Sequence, residues 1–418
     1  MDEQTQIEPV EDKLFSAFLW LLCGVSLYYL YESAPMLRQL RLLKGLAGLM
    51  MVTAEVMMVH MAVQTSRNNQ YKIGKGIVVL LAITLIYNAI HIIYAVVWDS
   101  ETVYLSLLGN PIYQPAFMLP VVTIIGLEEE RLYLFFKCIL YYTLLIIPIY
   151  ILTRYMNSLV GMGLLFLIAF LRYIPRRWRL FLLVFAGLYM AFSYYDDARA
   201  PILRVLMGLA IMVFSLTPQY KSKLIKMVIL ISVILTPLYF LSLFVTTGYS
   251  VFEQSTATDR VSQMGVQSSG DTRTFLYEEI FDDLTENDAW LWGKGINGRY
   301  YSAYFDQSKK ATESSERILS EVGFLDFLLK GGIVQTSLYL LLLMVAVFKC
   351  FFQSNSRAMV LIGLILLVHY VLLFVEDVPR FDLYNVSMWF CVGMAFSPAY
   401  LMKDDSFFEE HINLSFGR

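Results

Sequence analysis

Three arginines and one glutamate have the types and positions that could do chemistry in this chain. Arg199 follows Asp196 and Asp197 at the mouth of an apolar run, Arg273 sits in the first turn of a helical pattern, and Arg317 stands just before a long apolar return. A guanidinium is permanently charged and offers a planar fork to phosphate oxygens, so arginine at a membrane face suits the grip of a pyrophosphate. The same three residues also fit as interfacial arginines paired with Asp197, Glu278 or Glu316. Glu321, four residues after Arg317, is either a base for an acceptor hydroxyl or the ion-pair partner that holds Arg317. Trp290, Trp292, Tyr300 and Arg299 gather around Gly293, Gly295 and Gly298 in WLWGKGINGRYYSAYF. Their rings either stack on sugar faces or form the core of a loop, and Arg299 adds a cation for a substrate. Glu55, His60, His91 and His369 lie within apolar runs, where a coupled transporter would keep ion or proton sites and a bundle would keep interhelical hydrogen bonds. HExxH, GxxxxGK[ST] and GxSxG are absent, which removes three common enzyme signatures.

The elements that must position these residues are spanning helices. Hydrophobic residues make up 58% of the 418 positions and charged residues 16%, so lipid is the solvent for most of the chain. A span needs about 20 mainly apolar residues to cross about 30 Å of hydrocarbon. About twelve segments qualify, near 14–32, 42–63, 76–97, 111–127, 132–152, 157–173, 179–195, 200–217, 225–248, 331–350, 356–375 and 381–402. The expected architecture is an all-α polytopic membrane protein of three parts: nine spans over 1–248, a large loop over 249–319, and a re-entrant segment with three spans and a short tail over 320–418. Within the loop, Phe275, Leu276, Ile280 and Leu284 fall at helical spacing after Asp271, a residue suited to capping. The return segment 318–330 carries Glu321, Asp326 and Lys330 and ends at Gly331 and Gly332. Charge at that depth and broken backbone are tolerated against protein or a water-filled cavity, so this piece is expected to line one. Asp326 and Lys330, one turn apart, can neutralise each other.

Positive charge falls mainly on one set of connections: Arg67, Lys72 and Lys75; Arg172, Arg176, Arg177 and Arg179; Lys221, Lys223 and Lys226; Lys349 and Arg357. That side is expected to be the cytoplasm, which puts both termini inside and the large loop outside. Arg38, Arg41 and Lys44 run against the pattern and suggest an interfacial turn whose long side chains snorkel. The acidic N-terminus lacks the features of a removable signal peptide, so the first span is expected to remain. The net charge of −3 gives no basic field for nucleic acid. Cys23, Cys138, Cys350 and Cys391 have no CxxC spacing and read as small apolar core residues, with neither a disulfide framework nor a thiolate metal site.

The layout resembles the O-antigen polymerase and O-antigen ligase superfamily of bacterial surface-polysaccharide enzymes. FSYYDDARAPILRVLMGLAI is similar to that family's short external loop ending in a functional arginine, which maps onto Arg199. DTRTFLYEEIFDD followed by WGKGING is similar to its loop arginine, helix and GxG turn, with Arg273 at the arginine. SEVGFLDFLLKGGIVQTSLYL is similar to its re-entry pattern, although Glu321 and Val322 stand where ligases often have His and Asn. The resemblance implies a GT-C-like membrane glycosyltransferase of the bacterial inner membrane, inverting and independent of metal or other cofactor. It would join undecaprenyl-pyrophosphate-linked oligosaccharides at the periplasmic face, with a chain-length regulator as a protein partner. Catalytic positions would be Arg199, Arg273 and Glu321; Arg317, Arg299, Trp290, Trp292 and Tyr300 would bind substrate. Transfer to lipid A core by a ligase, or transport by a polysaccharide flippase, are the alternatives. A flippase would favour two repeated halves with substrate groups near the midplane, and the halves here look dissimilar.

Overall fold

A computed structural model of the chain describes residues 12–33, 41–67, 73–98, 115–153, 157–196, 198–247, 274–302 and 316–416. These residues form an all-α bundle: α1 Lys13–Ser33, α2 Arg41–Arg67, α3 Lys75–Trp98, α4 Leu132–Thr153, α5 Asn157–Ala169, α6 Arg176–Tyr195, α7 Arg199–Leu216, α8 Lys223–Thr247, α9 Thr274–Glu286, α10 Gly323–Phe352, α11 Arg357–Leu373, α12 Leu383–Phe396 and α13 Asp405–Ser415. The sole sheet among the described residues is a two-stranded antiparallel pair, β1 Tyr300–Tyr301 with β2 Glu316–Arg317. Among the described residues six helices are long and apolar enough to cross a membrane, and five shorter apolar ones accompany them.

Position in the bundle follows from how apolar each helix is around its circumference. In α11 and α12 nearly every side chain is buried, as expected of helices without a polar face. They form the centre together with α10. The outer helices α3 and α8 leave most of their apolar side chains exposed, as lipid-facing helices do.

Four sequence expectations change in detail. The expected span 111–127, described from Pro115 onward, is no regular helix there: Pro115–Met118, a 3-10 turn at Leu119–Val121 and Val122–Ile125 follow one another as a broken run. Pro120 supplies no N–H to a helical ladder, and Gly126 against Gly393 lets this broken run approach α12 backbone to backbone. The last expected span, 381–402, divides at Ser397 and Pro398 into α12 and a short helix, Pro398–Met402. Of the expected interfacial turn, Arg38 lies outside the described residues, while Arg41 and Lys44 belong to the start of α2. The proposed re-entrant piece is helical from Gly323 and joins the following span as one kinked element, α10.

The kink sits at Gly332, whose φ of +63° and ψ of −168° are open only to glycine. Its carbonyls and amides are taken up from outside the helix. Lys294 N donates to Leu329 O at 2.7 Å, Gly295 N to Lys330 O at 2.8 Å, and Tyr87 OH to Gly331 O at 2.7 Å. In return, Ile333 N donates to Trp290 O at 2.8 Å. The WGKG turn is thus threaded into the gap in α10, and Gly293 and Gly332 approach so closely that a Cβ on either would strike the other's backbone. Ahead of the kink, residues 323–332 are all buried, including Asp326 and Lys330, so this segment lies against protein.

In the described part of the loop, α9 has the expected amphipathic pattern: Leu276, Ile280 and Leu284 are buried and Phe275 is partly so. Asp271, its expected cap, lies outside the described residues. The four cysteines are buried and free.

Candidate functional site: a charged cavity at the loop end of the bundle

Arg204 lies inside the apolar run RAPILRVLMG of α7 and is 1% exposed. A charge there needs a partner, because burying an unpaired guanidinium costs far more than folding can spare. The partner comes from the connection 374–382 between α11 and α12. Arg204 Nη2 donates to Asp377 Oδ1 at 2.8 Å and lies 3.5 Å from Glu376 Oε1. Room for its stem is made by Gly161 of α5, where a Cβ would press on the Tyr189 hydroxyl and the Arg204 side chain.

The other carboxylate oxygen of Asp377 is equally engaged. Tyr384 OH donates to Oδ2 at 2.6 Å, and His369 Nδ1 lies 3.2 Å from the same oxygen and 2.8 Å from the Tyr384 hydroxyl. Since the tyrosine proton goes to Asp377, the tyrosine oxygen is an acceptor, and a proton on His369 Nδ1 satisfies both neighbours. Burial works against an ionised Asp377, but the Arg204 charge and the hydrogen bonds from His369 and Tyr384 outweigh it and hold this carboxyl below its usual range. Arg204 Nε and Nη1 are buried and have no hydrogen-bond partner among the described residues.

Arg204, Glu376, Asp377 and Tyr384 border a cavity of about 270 Å³ that is also lined by Glu321, Arg380, Asp382 and Asn385. Asp382 caps α12: its Oδ1 accepts from Asn385 N at 2.8 Å and Asn385 Nδ2 at 3.1 Å. Burial pushes the Asp382 carboxyl up to about 6, against the pull of those hydrogen bonds and of Arg380. Opposite the cap, the turn before α10 is pinned by Asp326 Oδ1, which accepts from Ser320 N at 2.9 Å. That turn holds Glu321 at φ +66°, a left-handed conformation costly for a non-glycine residue. Gly323 allows it to meet the 374–382 connection, since a Cβ there would run into the Asp377 carbonyl. The loop helix is tied to the same connection by Tyr277 OH, which donates to Phe374 O at 2.8 Å.

Of the residues singled out from sequence, Glu321 lines the cavity, and Arg317 is paired with it, Nη2 lying 3.3 Å from Glu321 Oε1. Arg299 is farther out along the strand pair, 3.6 Å from Glu316 Oε2. Tyr300 is 1% exposed, with its hydroxyl donating to Leu319 O, so it serves the loop's own core and offers no open ring face. Trp290 leans on Phe281 at 5.1 Å and donates through Nε1 to Thr285 Oγ1. Trp292 is different: it stacks on Tyr87 at 5.6 Å and 12° and remains 58% exposed. Arg273 and the side chain of Arg199 lie outside the described residues; the backbone of Arg199 opens α7.

Sequence reasoning missed Arg204, singled out neither Asp377 nor Arg380 as a site residue, and gave His369 as a possible transport or interhelical hydrogen-bonding group. Arg204 carried a readable signal, since an arginine five residues into an apolar run must find a partner. Tyr384 and Asp382 carried none, because their roles depend on how α11 and α12 meet. The fold and the cavity define an all-α membrane protein with a buried charge network at the loop end of its bundle. No family profile matches the sequence, and neither a curated protein nor a solved structure shows significant similarity to it.

Proposed function

We propose that this protein joins polyprenyl-pyrophosphate-linked oligosaccharide repeat units into a surface polysaccharide at the outer face of a bacterial inner membrane, as an inverting, metal-independent glycosyltransferase. The observation that carries the reading is the cavity: buried Arg204 lines a space bordered by the carboxylates Glu321, Glu376, Asp377 and Asp382 at the end of the membrane helices. Carboxylates and arginine donors together suit a sugar, whose hydroxyls both donate and accept. A departing pyrophosphate needs positive charge, and Arg273, Arg199, Arg317 and Arg299 are the arginines assigned to it in this reading. The polyprenyl tail lies along exposed apolar helices such as α3 and α8. About twelve spans, with both termini in the cytoplasm, belong to the same proposal.

Purified protein in vesicles, given lipid-linked repeat units, tests this directly. A polymer ladder is expected, and its loss in Arg273→Ala with the protein still folded is expected as well. A second reading, a secondary transporter, is favoured by the buried set Arg204, Asp377, His369 and Tyr384, since such networks carry protons in pumps. Movement of labelled oligosaccharide across the vesicle membrane without any ladder would replace the polymerase with that reading.

A further inference from the structure

Resting on the glycosyl-transfer reading, we propose that Asp382, through its Oδ2 atom, is the base that takes the proton of the acceptor hydroxyl. Both of its hydrogen bonds from Asn385 use Oδ1, and Oδ2 has none among the described residues although the side chain lines the cavity. Arg204, whose buried Nε and Nη1 lack partners among the described residues, lines the same cavity and puts a fixed positive charge beside it. The competing carboxylates are committed elsewhere. Asp377 spends one oxygen on Arg204 and the other on Tyr384 and His369. Glu376 sits 3.5 Å from Arg204, and Glu321 is largely solvated and 3.3 Å from Arg317.

The step balances without a co-reactant. The acceptor oxygen forms its bond to the anomeric carbon of the donor, and the bond from that carbon to pyrophosphate breaks with its electron pair leaving on the pyrophosphate. The hydroxyl proton passes to Asp382 Oδ2 and then to water. A base works best when its affinity for protons lies near the operating pH, and the burial that raises Asp382 moves it in that direction. Sharing the cavity with it are Arg204 of α7, Glu321 ahead of α10, Tyr384 of α12, and Glu376, Asp377 and Arg380 of its own connection.

The cap makes the test clean, because Asn and Ser cap a helix about as well as Asp. In vesicles with lipid-linked repeat units, Asp382→Asn and Asp382→Ser should keep thermal stability and donor binding while kcat falls by roughly 10² or more. The parental pH-rate profile should fall on the acid side near pH 6, and that limb should vanish in the residual activity of both variants. Turnover within about threefold of parental in either folded variant, or an unchanged acid limb, would overturn the role of Asp382 and leave the glycosyl-transfer reading standing. Parental protein that makes no polymer would overturn the reading itself, and Asp382 with it.

Discussion

Arg204 and Asp377 form a pair that neither can leave without stranding a charge in the bundle. Replacing Arg204 with Met, or Asp377 with Leu, is expected to cost about 3–5 kcal/mol, the usual consequence of breaking a buried pair. The double replacement should cost much less than the sum, which thermal unfolding of the purified variants would check. Asp382 makes a prediction about pH. Between about pH 4 and 6 the folded protein keeps a proton there that the unfolded chain has already released, so this group makes stability fall as pH rises through that window. Asp377 acts in the opposite sense: its contribution is present above the ordinary carboxylate range and is lost as pH falls below it. Asp382→Asn should flatten the pH 4 to 6 slope of the melting temperature, and an unaltered slope would remove Asp382 as its source. At Glu321 the exposed pair with Arg317 indicates a positioning role. Glu321→Gln should therefore lower turnover less than Asp382→Asn, and a fall of roughly 10² would return the base to Glu321.

The joint between the WGKG turn and the gap in α10 decides whether the loop is held against the bundle. The carbonyls of Leu329, Lys330 and Gly331 and the amide of Ile333 are matched by loop or α3 partners, and the two glycines permit that contact without a Cβ between them. Gly332→Ala is expected to cost at least about 1–3 kcal/mol from the forbidden backbone conformation alone. Gly293→Ala blocks the same contact from the other side. Either variant should raise hydrogen exchange at Lys294 and Gly295, whose amides close the joint, while α11 and α12 stay protected. The two changes together should add little to one alone, because both open a single contact. Full additivity would show that the glycines act independently.

Across the whole molecule, buried α11 and α12 sit inside a rim of lipid-facing helices, and the charges that matter gather at the end bearing α9. The sidedness proposed from the arginine and lysine clusters can be checked by cysteine labelling in intact cells, in which the four native cysteines, all buried, stay silent. Reagent outside the cell should modify cysteines placed at Ser269 or Ser308 and spare those at Ser222 or Asn355. Modification at Ser222 would invert the proposed orientation and move the cavity to the cytoplasmic face.

What the sequence determined alone is what depends on composition and local period. The apolar runs required helices, the spacing of Leu276, Ile280 and Leu284 required the amphipathic α9, and charge beside a glycine pair at 326–332 required shelter from lipid, expected as a cavity and found as packing against protein. Each follows from the cost of leaving apolar surface in water or polar groups in lipid, which is paid residue by residue along the chain. Tertiary structure decided the rest. The meeting of α7 with the 374–382 connection joins Arg204 to Asp377 across 173 positions, and the docking of α10 brings Glu321 to the same cavity. Threading of a loop turn through the Gly332 gap likewise joins segments some forty residues apart. Such contacts leave no period in the sequence, because a buried charge dictates that it must have a partner and leaves the choice of partner to the packing of helices.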